Sequence, residues 1–420
     1  MKPSTSSATK ALEALRTVKA TRRPRGAQAV HPYFGKVDSA LARALIDTLS
    51  RPGDVVLDPF CGSGTVLHES LLSSRSCIGW DSSPLATLIA ATKVCGISEE
   101  EDRALDPIAD ELAPYRSAAG LFSKSMDHHA VPAMSRVRDI NYWFQPQALI
   151  ELAFLRDFVH RHDRGECSAV GLVLKSAFSR IVVPASNQQG ESSYRRIEKS
   201  DHQGRVIDLF IGGLTDIRAA VKEFSSLIRS TGSMRSHLRW SLNPTVGEVQ
   251  WSEQHAVILE RDTRVGKVDP GQASLVVTSP PYLMSWDYGL YHKFRFYWLG
   301  LDLDHYEETE IGRHLRRKND DVGRYADDMA RSFKEIDRAL VPKAHIALVN
   351  APSVVYGALV DTNEVLADAA RGIGWEVIDC VATIDIPGPH HGMYASLSPR
   401  GATAPGESGK REHVLIFRKA

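Results

Sequence analysis

The chain has 420 residues, of which 43% are hydrophobic and 24% are charged, and this composition predicts a globular protein with a sizeable core. Basic and acidic residues balance at 51 each, so the net charge neither favours nor excludes a polyanionic partner. No apolar run approaches the roughly 20 residues that span a membrane, and the N-terminal residues lack the apolar core of a signal peptide. We therefore expect a cytoplasmic protein with no membrane partner. The five cysteines lack metal-ligand spacing, which predicts reduced thiols and no bound metal.

A basic N-terminal segment precedes the first predicted elements. Residues 1–30 contain seven lysines and arginines and one glutamate, which predicts a flexible arm that either contacts phosphates or forms a solvated tail. The elements that follow alternate. Their spacing predicts, in chain order, a helix over 38–49, a strand over 54–57, a helix over 65–72, a strand over 77–80 and a helix over 84–94. Such a βαβα beginning is typical of a parallel sheet.

The alternation is lost after residue 96 and resumes near residue 255. The intervening residues mix polar and aromatic segments with helical runs over 99–112, 148–160 and 169–181. The later pattern predicts a helix over 325–340, a helix over 364–371, and strands over 256–259, 274–277, 345–349, 376–384 and 413–417, of which the last two could pair antiparallel. We therefore predict an α/β catalytic domain at 31–96 and 251–420, interrupted by a mostly helical insertion at 97–250.

A glycine turn follows the first predicted strand. The string Asp-Pro-Phe-Cys-Gly-Ser-Gly-Thr runs from Asp58 to Thr65, and its glycines permit positive φ and close approach of a ligand to the backbone. Its spacing differs from the dinucleotide fingerprint and no P-loop lysine follows. Asp81 ends the next strand, where a carboxylate can accept hydrogen bonds from a ribose, and Asp262 follows the third, where it can accept from an adenine amino group. Because carboxylates repel a pyrophosphate but tolerate a sulfonium, the pattern favours S-adenosylmethionine over NAD.

A second string, Thr-Ser-Pro-Pro-Tyr at 278–282, ends the fourth predicted strand. The Ser279 hydroxyl and the Pro280 carbonyl can each accept one hydrogen of an amino group, while Pro280 and Pro281 fix φ and stiffen the turn. Tyr282 offers a face on which a base can stack. The string therefore predicts a clamp for a flat base with an exocyclic amino group, and a base in a duplex would have to be flipped out to reach it.

The two strings together resemble a known family. Residues 58–65 resemble motif I, and residues 278–282 motif IV, of the amino-type S-adenosylmethionine-dependent DNA methyltransferases. Residues 31–34 with the helix at 38–49 are similar to the segment beside the methionine end of the cofactor in that family. The resemblance, which covers about residues 31–95 and 255–418, implies a Rossmann-like class I methyltransferase fold, with a mostly parallel sheet and an antiparallel C-terminal strand. It also implies methyl transfer from S-adenosylmethionine to an exocyclic amino nitrogen of DNA.

The resemblance implies two overlapping sets of site residues. The predicted cofactor contacts are Tyr33, Asp58, Pro59, Phe60, Cys61, Gly62, Gly64, Thr65, Asp81, Ser82, Asp262, Thr263 and Ser279. The predicted catalytic residues are Ser279, Pro280, Pro281 and Tyr282. In the family, serine at the second position of the clamp often accompanies cytosine N4 methylation, whereas aspartate or asparagine usually accompanies adenine N6 methylation. Ser279 therefore favours cytosine N4, with adenine N6 as the alternative.

Cationic and amide side chains outside the two strings are candidates for DNA contact. Arginine can read guanine edges, asparagine can read adenine edges, and arginine and lysine both bind phosphates. The candidates are Arg180, Asn187, Arg195 and Arg196 in the insertion, and Lys293, Arg316, Arg317 and Lys318 after the clamp. The alternative for each is a packed or solvated surface residue. We interpret the insertion as a target-recognition region. The insertion lies before the strand that leads to Asp262, whereas in the resembling family it lies just before motif IV. Residues of the insertion therefore cannot be matched to residues of the family.

Two further functions stay open. Enzymes that methylate guanine N2 in tRNA have similar motif I strings, although they usually carry an N-terminal RNA-binding domain and an aspartate or asparagine in place of Ser279. A non-catalytic regulator on the same fold would bind DNA or cofactor without turnover, and the intact clamp disfavours it. For the leading hypothesis the expected partners are DNA and a cognate restriction endonuclease.

Overall fold

The computed structural model describes Gly26 and residues 30–116, 129–163, 168–191, 193–230, 239–243, 254–265, 271–284, 287–313, 321–356, 358–386 and 410–420. Most of the predicted basic arm lies outside these residues, as do Arg316, Arg317 and Lys318. Within the part that is described, no helix is both long and apolar enough to cross a bilayer.

An eight-stranded sheet forms the centre of the molecule, in the order β11-β12-β8-β7-β1-β2-β6-β5. The strands are β1 (Val55–Asp58), β2 (Ser76–Asp81), β5 (Arg239–Leu242), β6 (His255–Glu260), β7 (Ala273–Thr278), β8 (Leu340–Asn350), β11 (Glu376–Ile386) and β12 (Lys410–Arg418). In this spatial order, every neighbouring pair from β8 through β7, β1, β2 and β6 to β5 is parallel. β12 runs antiparallel to both β8 and β11. Strand order therefore reverses between β1 and β7, which places a crevice at their carboxyl ends.

Helices cover both faces of this sheet. On one face, α1 (Ser39–Leu49) packs on Leu275 and Val277 of β7. On the other face, Val276 packs among side chains of two later helices, α12 (Asp321–Ala339) and α13 (Thr362–Gly372). The alternation along β7 follows from the period-two geometry of a strand, and a strand buried on both faces reads as a continuous apolar run.

The helices that flank the glycine turn begin at sequence signals. α1 begins after Asp38, whose carboxylate accepts hydrogen bonds from two backbone N–H groups of the first turn. α2 (Thr65–Leu72) follows the turn directly. α3 (Pro84–Val94) has Ser83 as its N-cap and proline in its first turn. The helix that follows each of β1 and β2 therefore fixes where the chain leaves the sheet at the carboxyl end of that strand.

The segment between α3 and β5 is mostly helical. It contains α4 (Glu99–Arg103), α5 (Asp106–Leu112), a short 3₁₀ turn (Ala113–Tyr115), α6 (Ile140–Trp143), α7 (Pro146–His162), α8 (Ala169–Ala185), the hairpin strands β3 (Gln188–Gly190) and β4 (Ser193–Arg196), and α9 (Arg205–Ser230). Side chains of α7, α8 and α9 share one core with α2, α3 and β6. The segment therefore packs as a layer on the sheet, and its division into a separate domain stays a prediction.

The remaining elements follow the clamp and β8. They are α10 (Tyr288–Leu299), α11 (Leu303–Thr309), and a second hairpin of β9 (Ser353–Val355) and β10 (Ala358–Val360). The predicted Rossmann-like class I fold with a mostly helical insertion is confirmed. Several described elements had not been predicted: α6, α9, α10, α11, the hairpins β3–β4 and β9–β10, and β5. The last lies inside the interval 97–250 yet pairs with β6 of the catalytic sheet. The sheet thus resumes at residue 239 and not after 250.

Candidate active site

The two predicted strings meet at the crevice between β1 and β7. Both strands end there because they are parallel neighbours. Thr278, the last residue of β7, donates a hydrogen bond from Oγ1 to Asp58 Oδ1 at 2.6 Å, although 220 positions separate the two residues. Both side chains are buried. The glycine turn and the clamp therefore form one site.

The glycine turn requires residues without side chains at two positions. Gly62 and Gly64 have φ of +48° and +74°. A Cβ on Gly62 would lie 3.3 Å from the Tyr33 ring, and a Cβ on Gly64 would lie 2.9 Å from Ala90. A side chain at either position would thus be strained in φ and would crowd its neighbours. Asp81 holds the turn from the next strand, because its Oδ2 accepts the N–H of Gly62 at 2.8 Å.

The segment after β6 closes a third side of the crevice. Thr263 donates a hydrogen bond to the carbonyl of Pro59 at 2.7 Å. Asp262 accepts two or more hydrogen bonds from the guanidinium of Arg264, which also contacts Asp328 at 3.0 Å. The carboxylate predicted to meet an adenine amino group is therefore already paired with a cation.

The clamp is held by groups behind it. The Tyr325 hydroxyl on α12 donates to the Pro281 carbonyl at 2.9 Å, and the Tyr282 hydroxyl donates to Glu412 of β12 at 3.2 Å. These contacts leave Ser279 and Pro280 at the cavity wall. The clamp is thus fixed by a helix on one side and by the antiparallel strand β12 on the other.

A single cavity joins these parts. Of the residues predicted for cofactor or base, eleven line it: Tyr33, Phe60, Gly62, Asp81, Ser82, Asp262, Thr263, Ser279, Pro280, Pro281 and Tyr282. The other five, Asp58, Pro59, Cys61, Gly64 and Thr65, do not line it and stand behind the wall, where the side chains of Asp58, Cys61 and Thr65 are buried. Seven further lining residues were not in the predicted sets of site residues, although Phe34 belongs to the segment 31–34 predicted beside the cofactor: Phe34, Gly35, Tyr288, Tyr306, Thr309, Glu310 and Ile311.

Comparisons with known protein sequences match parts of the chain. The DNA methylase family model of the N6/N4 type matches residues 9–91, which include the glycine turn and Asp81 but not the clamp. The Type II methyltransferase M.MjaII of Methanocaldococcus jannaschii is 38% identical over 65 residues, which are 16% of this chain and 12% of the relative. The Type II methyltransferase M.EcaI of Enterobacter cloacae is 46% identical over 46 residues, 11% of this chain and 10% of the relative.

The matched parts of the chain are similar to the amino-methyltransferase family. The matched segments span only about a tenth of the length of the curated relatives. Among solved structures, the rRNA methyltransferase aviRa from Streptomyces viridochromogenes overlaps 92% of this chain and 87% of its own, with 10% identity and a TM-score of 0.30.

S-adenosylmethionine is the methyl donor that the match to the DNA methylase family model implies, and the cavity fits it. The donor carries a positive sulfonium. The cavity walls supply the carboxyl groups of Asp81, Asp262 and Glu310 and, among the described residues that line it, no lysine, arginine or histidine side chain. Gly62 lines the cavity and has no side chain, which permits the close approach that a nucleoside requires. Both observations agree with a cationic nucleoside ligand.

Burial raises the pKa values of the carboxyl groups in and behind the cavity wall. Removal from water raises the pKa of Asp58 to about 7, although the hydrogen bond from Thr278 opposes the rise. Burial likewise raises the pKa of Asp81 to about 6, and that of Glu310 to about 8. The backbone N–H groups of Gly62 and Ser83 oppose the rise at Asp81. These groups are therefore easier to protonate than ordinary carboxyls, and a bound cation would favour their ionised forms.

The predicted DNA contacts have different surroundings. Asn187 is 0% exposed and its Nδ2 donates to the Tyr142 carbonyl, so its amide does not face solvent. Arg180 pairs with Asp216 of α9 at 2.8 Å. Arg196 lies over the Tyr142 ring at 5.0 Å.

Two more of the candidate cations are described. Arg195 is exposed on β4, at the hairpin of the insertion. Lys293 is partly buried, with its ammonium 5.5 Å from the Phe294 ring on α10. Among the described candidates, Arg195 therefore has the surroundings most open to a nucleic acid.

Proposed function

We propose that the protein is a DNA methyltransferase that transfers a methyl group from S-adenosylmethionine to the exocyclic N4 of cytosine in a flipped base. The observation that carries the proposal is the hydrogen bond between Thr278 and Asp58, because it joins a cofactor-type turn and an amino-group clamp in one cavity. Adenine N6 is the alternative target.

The clamp residues would bind and orient the base. The amino group of cytosine is a poor nucleophile, because its lone pair is delocalised into the ring. Ser279 Oγ and the Pro280 carbonyl would each accept one amino hydrogen, which orients the nitrogen lone pair and favours a pyramidal nitrogen. The Tyr282 ring would stack on the base, and its hydroxyl contact with Glu412 holds the ring in place. S-adenosylmethionine supplies the activated methyl group when bound.

The proposed cofactor contacts are residues on three adjoining strand ends. The backbone of Gly62 and the aromatic ring of Tyr33 would contact the nucleoside. Asp81 would accept hydrogen bonds from the ribose hydroxyls. Asp262 would accept from the adenine amino group while it remains paired with Arg264. Asp58 would act from behind the cavity wall, through its charge and through its hydrogen bond with Thr278.

The test is incubation of the purified protein with S-adenosylmethionine and either plasmid DNA or tRNA, followed by mass spectrometry of the nucleosides. We expect N4-methylcytosine in the DNA and no new methylated nucleoside in the tRNA. N6-methyladenine would overturn the assignment of the base, and N2-methylguanosine in tRNA would overturn DNA as the substrate. Cofactor binding without any product would favour a non-catalytic regulator.

We further propose that the protein acts in the cytoplasm beside a cognate restriction endonuclease. The names of the two curated relatives, both Type II methyltransferases, support this role. Plasmid DNA from cells that express the protein should resist cleavage by an endonuclease of the matching specificity. Unchanged cleavage by a broad panel of endonucleases, despite confirmed methylation, would contradict a protective role.

A further inference from the structure

Glu310 is a buried carboxyl group in the cavity wall that the proposed reaction does not use. It follows α11, and its Oε1 accepts the N–H of Tyr288 at 2.8 Å. Its Oε2 is buried and has no hydrogen-bond donor among the residues that the structure describes. Arg313 Nε lies 3.6 Å from Oε2, which is beyond hydrogen-bonding distance, and that arginine donates to Asp287 and pairs with Glu307 at 2.9 and 2.7 Å.

The cavity has more acidic than basic groups. Of the three carboxyl groups that line it, Asp262 is paired with Arg264 at 2.7 Å. Asp81 accepts hydrogen bonds from backbone N–H groups, and Glu310 accepts from the backbone and has the more distant Arg313. A buried site of low dielectric strengthens any interaction between these groups and a bound charge.

We propose that Glu310 makes the cavity select the positively charged methyl donor over S-adenosylhomocysteine, the product whose sulfur is uncharged. The inference rests on the proposed function, because it takes this cavity as the cofactor site. Since Oε2 has no exposed surface, Glu310 acts by its charge across the cavity wall and not through a hydrogen bond to the ligand. It is a specificity-determining residue that distinguishes substrate from product.

The protonation of Glu310 should follow the charge of the ligand. Burial raises its pKa to about 8 and Asp287 adds repulsion, while the N–H groups of Tyr288 and Gly289 and the charge of Arg313 oppose the rise. The facing phenols of Tyr33 and Tyr306 have pKa values raised by burial and carry no charge near neutral pH. A cationic ligand favours the ionised carboxylate, so its binding near pH 7 should release a proton. Binding of a ligand whose sulfur is neutral should release fewer protons.

The test is isothermal titration calorimetry of the full chain with S-adenosylmethionine and with S-adenosylhomocysteine, in buffers of different ionisation enthalpy at pH 7. We expect Glu310→Gln to weaken binding of S-adenosylmethionine by about tenfold and of S-adenosylhomocysteine by less than about twofold. Glutamine keeps an oxygen for the Tyr288 N–H. The matched control is Glu308→Gln, an exposed residue two positions earlier on α11, which should change neither affinity.

Other outcomes separate the inference from the proposed function. Equal weakening of both ligands by Glu310→Gln would show a packing role and overturn the inference. If the variant does not fold, the wild-type protein still decides, because binding of S-adenosylmethionine at pH 7 without extra proton release also contradicts it. Failure of the wild-type protein to bind either ligand would instead refute the cavity as a cofactor site, and with it the proposed function.

Discussion

At the scale of single residues, the hydrogen bond from Thr278 to Asp58 joins the two halves of the site. We expect Thr278→Val, which keeps the shape but removes the hydroxyl, to reduce the free energy of unfolding by about 1–3 kcal/mol. The loss should be larger at pH 8 than at pH 6, because the pKa of Asp58 is about 7 and its ionised form needs the donor more. Urea denaturation at both pH values measures this. Thr278→Ser keeps the hydroxyl and should recover most of the stability, and equal losses for both variants would contradict the hydrogen-bond explanation.

Ser279 should matter for turnover and little for the cofactor. Its hydroxyl is proposed to accept a hydrogen of the base, so Ser279→Ala should lower kcat by roughly ten- to a hundredfold, as loss of one strong hydrogen bond would. The dissociation constant of S-adenosylmethionine, measured separately by calorimetry, should stay within about twofold. Methylation at the wild-type rate would refute the clamp model.

Glu310 also makes the stability of the ligand-free protein depend on pH. Its folded pKa of about 8 lies above the ordinary value for glutamate, so between about pH 4.5 and 8 the folded state binds a proton that the unfolded state lacks. The contribution of Glu310 is therefore complete at low pH and is lost as the pH rises through 8. The wild-type free energy of unfolding, relative to that of Glu310→Gln, should fall across this window. A difference that is constant with pH would show that the carboxyl does not titrate there.

At the scale of elements, a buried arginine ties α10 to the insertion. Arg295 is 0% exposed, and it donates to the Ser179 carbonyl on α8 at 3.0 Å, to His292 at 3.0 Å and to Glu191, in the turn of the β3–β4 hairpin, at 2.7 Å. His292 in turn stacks on Tyr33, with ring centroids 5.3 Å apart. The hairpin that carries Arg195 is therefore linked through α10 to a ring of the cavity wall.

Removal of the Arg295 guanidinium should be costly, because it leaves Glu191 without its buried counter-charge. We expect Arg295→Met to lower the free energy of unfolding by about 3–5 kcal/mol. The control is Arg371→Ala. That arginine pairs with Glu364 and Asp368 on the surface of α13, and its loss should lower the free energy of unfolding much less than Arg295→Met does. Chemical denaturation of both variants measures the difference, and equal small losses would show that the Arg295 contacts contribute little.

Single elements also show how much the sequence could predict. The strands β1, β2, β6 and β7 are apolar runs next to turn residues, so their positions could be predicted closely, whereas β8 begins five residues before the predicted strand over 345–349. α9 carries apolar residues at helical spacing, but its Gly212–Gly213 pair and mixed composition weaken the pattern. β5 has only four residues at the sheet edge, and its pairing with β6 is a tertiary property. Glu310 likewise enters the cavity only through the packing of α10 and α11.

At the scale of the whole molecule, the insertion helices and the catalytic sheet share a core. Phe210 of α9 is 0% exposed and belongs to the same core as Ala256 and Ile258 of β6. We expect Phe210→Ala to destabilise the protein by about 3–5 kcal/mol and to speed hydrogen exchange in β1 and β6 as well as in α9. Leu227→Ala, on the same helix but 42% exposed, is the control and should change exchange little. Faster exchange confined to the insertion would instead indicate a separate domain.

The long separation of Asp58 and Thr278 has a consequence for synthesis. At about 5–20 residues per second, a ribosome needs roughly 10 to 40 seconds to add the 220 positions between them. During that time β1 has β2 as a possible neighbour but lacks β7, so one edge of the nascent sheet is unpaired. The residues that follow the glycine turn can form helices meanwhile, but the cavity cannot close. A ribosome stalled before residue 278 should therefore hold a chain that is largely collapsed and unable to bind its cofactor.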